Sequence, residues 1–178
     1  MTLPLTPSQT VGPYFGLIEM TPSVVAEGTP GAIVLTGTLR DGAGGPVPEG
    51  MLEVWQADAK GNYRLTPVGD EGFTGFGRCH TDDEGRFRFD TIKPGRVPGP
   101  GGGMQAPHIN IAIFGAGLVK PVRTRVYFSD EVEANAADLV LATVPAERRS
   151  LLVGTVDGRT VTIDLRLQGE DETPFFEM

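Results

Sequence analysis

His108 and Asn110 stand two residues apart in the segment Ala106-Pro107-His108-Ile109-Asn110-Ile111-Ala112-Ile113-Phe114-Gly115. A proline opens the segment, a glycine closes it, and β-branched and aromatic residues fill it, so it reads as a strand. Strand side chains alternate between faces. His108, Asn110, Ala112 and Phe114 therefore share one face, and Ile109, Ile111 and Ile113 the other. Two histidines at this spacing would point the same way and could hold a metal; here the second place is a carboxamide. His80 is the only other histidine, so a nitrogen-rich metal site is not expected in this chain. The other hard donors are Tyr14, Tyr63, Tyr127 and the carboxylates, and no zinc-type spacing links them.

Nucleophilic chemistry finds no support. The single cysteine, Cys79, neighbours His80, and adjacent side chains on a strand point apart. There is no Gly-x-Ser-x-Gly elbow. No glycine-rich loop leads from a strand into a helix, which excludes a phosphate cradle. Arg123 and Arg125 share a strand face, and a planar guanidinium suits a carboxylate. On their own they read first as an ion pair or a solvated edge.

The elements that position these residues are short and β-rich. The 178 residues make one domain, or a domain plus an arm, with 25 glycines and 15 prolines spread between apolar runs as turns. Prolines at 4, 7, 13, 22 and 30 make residues 1–30 an extended arm that must dock to be ordered. Strands are expected over 32–40, 51–57, 86–90, 106–115, 123–128, 150–155 and 160–167, the last two forming a hairpin closed at Asp157-Gly158. Residues 58–77 read as a long loop. One helix is expected over 130–141, with Asp130 and Glu133 forming a capping box. The sum is an all-β fold, an antiparallel β-sandwich over residues 31–178 with an extended N-terminal arm and one short helix. The net charge of −8 argues against nucleic-acid binding. No run is long enough to span a bilayer, no basic n-region precedes an apolar core at the N-terminus, and a lone cysteine suits a reducing compartment, so a cytoplasmic protein is expected.

Several motifs together carry a resemblance. They are Thr6-Pro7-Ser8-Gln9-Thr10-Val11-Gly12-Pro13-Tyr14-Phe15, Leu52-Glu53-Val54-Trp55-Gln56-Ala57-Asp58 before Gly61-Asn62-Tyr63-Arg64, and Gly72-Phe73-Thr74-Gly75-Phe76-Gly77-Arg78. Further along come Phe89-Asp90-Thr91-Ile92-Lys93-Pro94-Gly95, Ala106-Pro107-His108-Ile109-Asn110, Thr124-Arg125-Val126-Tyr127-Phe128 and Pro145-Ala146-Glu147-Arg148-Arg149. The chain thereby resembles the intradiol ring-cleavage dioxygenases over nearly its whole length. In that family the resemblance implies a ferric ion held by two tyrosines and a His-x-His pair. Here the pair reads His108 and Asn110, the place of one tyrosine holds Val97, and residues 65–77 contain no tyrosine for the other. Tyr63 matches a position that is not a ligand.

The resemblance therefore implies a chain that binds no cofactor and no metal. It would work beside a homologous partner subunit that carries the ferric iron, in a higher oligomer of such pairs. Its arm would wall the substrate cleft at the interface through Gly12, Pro13 and Tyr14, with Thr10 nearby. Arg125 would supply positive charge near a substrate carboxylate, or in the network behind it. No catalytic residue is expected in this chain alone. A sandwich with no active partner, serving as a scaffold or binding an aromatic acid, is the alternative.

Overall fold

The computed structural model describes residues 18–63, 72–115 and 117–177. Eleven strands and one α-helix are arranged among them: β1 (Ala32–Arg40), β2 (Met51–Trp55), β3 (Phe76–His80), β4 (Arg86–Ile92), β5 (Val97–Pro98), β6 (Met104–Gln105), β7 (His108–Phe114), β8 (Val122–Phe128), α1 (Val132–Ala137), β9 (Val153–Asp157), β10 (Thr160–Thr162) and β11 (Leu165–Arg166). The main sheet runs β11-β1-β10-β9-β8-β7-β2-β3, with β4 also paired to β1, while β5 and β6 form a separate ribbon. The sheet folds back on itself, so that β1 and β4 face β2, β7 and β8 across one core. Leu35, Leu39, Phe87 and Phe89 contribute from one side, and Leu52, Val54, Ile109, Ile111, Ile113, Val126 and Phe128 from the other.

The all-β sandwich agrees with the alternation read from the sequence, with a qualification about strand direction. The pairs β1/β10, β1/β11 and β8/β9 are parallel, so the sheet is mixed and nearly closed. The closure is completed by residues that form no strand of their own. Thr21 exchanges backbone hydrogen bonds with Arg78 of β3 at 2.9 Å in each direction, and Val24 N donates to Asp90 O of β4 at 2.8 Å. This stretch therefore seams β3 to β4. It also plants Val24 and Val25, both buried, in the core. The described part of the expected arm, residues 18–30, is thus docked; residues 1–17 lie outside the described residues.

Several expected boundaries move. The helix is only six residues, Val132–Ala137, with Glu131 at its N-cap and no side-chain cap. Asp130 bonds the Lys93 ammonium instead of capping. Asp138 ends the helix because its carboxylate accepts from Val140 N and Leu141 N, both at 2.8 Å, and starts the 3-10 turn Leu141–Thr143. The strand expected at 150–155 begins at Val153, since Ala146–Leu152 is a 3-10 segment. The strand expected at 160–167 breaks at Ile163-Asp164. There the Ile163 carbonyl folds against Gly37, where a Cβ would sit 1.6 Å from it, and Asp164 Oδ1 accepts from Thr38 N at 3.1 Å. The long loop ends early, with β3 starting at Phe76. The expected hairpin forms, but Asp157 is still in the ladder opposite Thr160, so the two-residue turn is Gly158-Arg159, with Gly158 at φ 57°.

Candidate functional site

The face of β2, β3, β7 and β8 turned away from the main core forms a grid. Asn110 of β7 stands opposite Arg125 of β8 and Trp55 of β2, and Ala112 stands opposite Arg123 and Glu53. On the outer side, Trp55 and Glu53 pair with Phe76 and Arg78 of β3. This face floors a cleft of about 480 Å³ lined by these residues, Arg78 excepted, together with Tyr63 and Phe114. The alternation seen in the sequence is what places Arg123 and Arg125 here, since Thr124 between them and Val126 after them are buried on the opposite face.

At one end of the grid His108 is buried, although Asn110 and Ala112 on the same face are half-exposed. A second apolar cluster of Ala106, Tyr127, Leu141, Val144 and Leu152 covers that end. Tyr127 is the cross-strand partner of His108, with ring centroids 5.8 Å apart. His108 Nδ1 lies 2.8 Å from Ala106 O, which can only accept, so Nδ1 carries the proton and Nε2 is the acceptor. Tyr63 Oη donates to that Nε2 at 3.4 Å, and Asn110 Nδ2 donates to Tyr63 Oη at 3.1 Å. The Asn110 amide also donates to Trp55 O at 3.1 Å. Burial first, and the nearby Arg125 charge second, push the His108 imidazole down to about 4, so it is neutral at physiological pH. Burial pushes the Tyr127 phenol up to about 12.

Tyr63 is the site residue that motif matching passed over. A local signal for it existed. Asp58 Oδ1 accepts from Lys60 N at 2.8 Å and Asn62 N at 2.9 Å, and Gly61 turns at φ 83°. This Asx-turn directly after β2 sends the chain back, so the Tyr63 ring stacks on Trp55 at 6.1 Å with 7° between planes. Gln105 was also missed. Its Oε1 accepts from Arg125 Nη1 at 2.7 Å, while the Phe176 ring lies 5.9 Å from the guanidinium.

Of the residues expected to touch substrate, Arg125 lies on β8 in this chain's own cleft. Thr10, Gly12, Pro13 and Tyr14 lie outside the described residues. Val97, in the place where the family has a tyrosine, is buried in the β5–β6 ribbon. Among the described residues no three His, Cys, Asp or Glu side chains come together in a metal-binding arrangement. The buried His108 imidazole, the Tyr63 phenol and the Asn110 carboxamide form a set lacking the several anionic donors that a ferric ion takes, and Arg125 stands directly across from Asn110. Cys79 is buried, and its thiol is pushed up to about 12, which leaves it inert as a nucleophile.

Comparison with known proteins places this geometry. A family model described as Dioxygenase matches residues 16–169. The protocatechuate 3,4-dioxygenase alpha chain of Burkholderia cepacia is 43% identical over 99% of this chain and 99% of its own, and that of Pseudomonas putida is 41% identical over 98% and 97%. The beta chain of the Burkholderia cepacia enzyme is 34% identical, covering 88% of this chain and 73% of its own. Among solved structures, the dioxygenase domain of a dioxygenase–carbohydrate-binding fusion from Streptomyces sp. SirexAA-E superposes with a TM-score of 0.64, at 29% identity, over 92% of this chain and 98% of that one. The chain belongs to the intradiol dioxygenase family.

Proposed function

We propose that this chain is the α subunit of a protocatechuate 3,4-dioxygenase and works only as a pair with a homologous iron-binding β subunit. The reaction is the O2-dependent opening of 3,4-dihydroxybenzoate between its two hydroxyl-bearing carbons, giving 3-carboxy-cis,cis-muconate. The observation that carries this reading is the match to two alpha chains over essentially the full length of both sequences.

In this reading the chain itself holds no ferric ion, and the donor set around His108 supports that. Its Nε2 is occupied by the Tyr63 hydroxyl, Asn110 replaces the second imidazole, and Arg125 places a fixed positive charge across from Asn110. The ferric iron, which activates the diol toward O2, belongs to the β subunit. This chain's contribution is to shape and charge the cleft at the subunit interface, where protocatechuate binds. Gly12 and Pro13 offer a rigid surface for a flat ring, Tyr14 adds an aromatic face and a hydroxyl, and Thr10 adds a further hydroxyl. Arg125 contributes positive charge through the network it shares with Gln105. The pairs assemble into a higher oligomer in the cytoplasm. No helix among the described residues is long and apolar enough to cross a membrane.

The test is co-expression with the β-like chain, followed by iron quantification and protocatechuate-dependent O2 uptake on each chain and on the pair. Activity with about one ferric ion per pair, and neither iron nor activity on this chain alone, is the expected result. Stoichiometric ferric iron on this chain alone sinks the proposal, as does a stable iron-loaded pair without activity.

A further inference from the structure

The cleft over β2, β7 and β8 is more than what is left when metal ligands are replaced. It has an aromatic wall, an amide at its floor and a pair of guanidinium groups, and its charge is one-sided. Trp55 is 38% exposed, unusual for so large an apolar side chain, and its ring is held in place by the stack on Tyr63. Asn110 fixes both members of that stack, through the Trp55 carbonyl and the Tyr63 hydroxyl. Ala112 is the small residue in the middle of the floor, and Phe76 and Phe114 complete the apolar lining.

The charges decide what such a wall would receive. Among the described residues Glu53 is the only acid lining the cleft, and Arg78 binds it through Nε at 2.8 Å and through Nη2. Arg123 and Arg125 have no carboxylate partner among the described ion pairs. Arg125 spends Nη1 on the neutral Gln105, and its Nε is buried with no acceptor among the described residues. Arg123 is exposed. In a chain of net charge −8, two guanidinium groups with no carboxylate partner among the described residues make a local positive field on one wall of a cleft, opposite a flat apolar surface.

We infer that this cleft is a binding site, in this chain itself, for a small planar aromatic carboxylate: the ring lies against the Trp55–Tyr63 wall and the carboxylate meets Arg123 and Arg125. With no metal in the recognition, ring hydroxyls are not required. That separates this site from any centre that selects a diol, and the inference stands on this chain's residues whether or not the partner enzyme is active. A cleft volume of about 480 Å³ accommodates a single substituted benzene ring with room for water.

The probe is benzoate, which carries the ring and the charge but no hydroxyl. Its binding is measured by equilibrium dialysis on the full chain in the assembly it forms, and occupancy is read independently from the emission of Trp55, the only tryptophan of this chain, by comparison with the Trp55→Phe assembly. A dissociation constant on the order of 1 mM or tighter is expected, since a fragment of this size sits near that limit. Arg123→Gln, an exposed change that leaves the sheet intact, is expected to weaken binding about tenfold, as is Trp55→Ala. Acetate and benzyl alcohol, lacking the ring and the charge respectively, are expected not to compete at equal concentration. The inference is overturned if benzoate binds equally to wild type, Arg123→Gln and Trp55→Ala. It is also overturned if the assembly takes up no benzoate beyond that held by the partner, including the case where a partner segment fills the cleft. Neither result bears on iron content or O2 uptake, so failure here and failure of the dioxygenase reading are distinguishable.

Discussion

The protonation of His108 is the most local consequence of the site. Its imidazole sits at about 4 when folded, against 6.5 unperturbed, because burial penalises the cation and Arg125 repels it. A base whose folded pKa is depressed takes up its proton more readily in the unfolded chain. Between pH 6.5 and 4 the unfolded state therefore binds more protons at this position, and stability falls as the pH falls through that window. The full contribution is about 3 kcal/mol, complete above 6.5 and gone below 4. Urea unfolding at several pH values is expected to show His108→Gln with a shallower slope than wild type across this window by roughly one proton, and the same slope above pH 7. Identical slopes for the two proteins would mean that the His108 imidazole titrates alike in the folded and unfolded chain. The sequence alone made His108 visible as half of a broken pair, but not its burial. Its cross-strand neighbour Tyr127 follows from the alternation of β8, but the cluster that Tyr127 joins is completed by Leu141 and Leu152, from 3-10 segments that strand alternation does not describe.

At the scale of elements, strand alternation was the readable quantity and polar side chains bonding to backbone were the unreadable one. The faces of β2, β7 and β8 follow directly from period-two patterning, which puts Arg123 and Arg125 on one face of β8. The helix was misjudged in length because Asp138 reads as an ordinary helical residue. In the fold it is buried, and its carboxylate accepts from Ala106 N at 2.7 Å as well as from Val140 N and Leu141 N. This single side chain joins the turn after α1 to the entry of β7, one residue from Pro107 and two from His108. Replacing Asp138 by Ala leaves three amide donors without their acceptor and is expected to cost about 3 kcal/mol or more in denaturant unfolding, with Asp138→Asn costing less. Equal stability of the Ala variant would show that water replaces the carboxylate. The break between β10 and β11 was hidden for a related reason. The Ile163 carbonyl packs where Gly37 lacks a Cβ, and nothing in the local pattern of residues 160–167 reports a glycine 126 positions away. Gly37→Ala places a methyl group against that carbonyl and is expected to lower stability by about 3 kcal/mol. A thermal midpoint unchanged from wild type would show that β1 and the Ile163 turn can separate without loss.

Over the whole molecule, residues 1–30 divide into a part that closes the sheet and a part proposed to line the substrate cleft. Residues 18–30 belong to the fold: they seam β3 to β4 through Thr21 and Val24, and they contribute Val24 and Val25 to the core. Residues 1–17 precede every described core residue, and the proposed cleft-lining residues Thr10, Gly12, Pro13 and Tyr14 all fall among them. Two truncations separate the purposes. Removing residues 1–17 takes away none of the described core, so the chain is expected to keep its far-UV circular dichroism and its cooperative thermal transition, while the paired enzyme loses protocatechuate-dependent O2 uptake. Removing residues 1–25 takes both valines as well. Burying each contributes roughly 1.5–3 kcal/mol, so the loss is about 3–6 kcal/mol before the opened β3–β4 seam is counted. That is a large part of the 5–15 kcal/mol typical of a domain, and the longer truncation is expected to unfold or aggregate at 37 °C. If instead the shorter truncation already abolished the cooperative transition, residues 1–17 would be part of the folding unit, and loss of activity on their removal would no longer point to the substrate cleft.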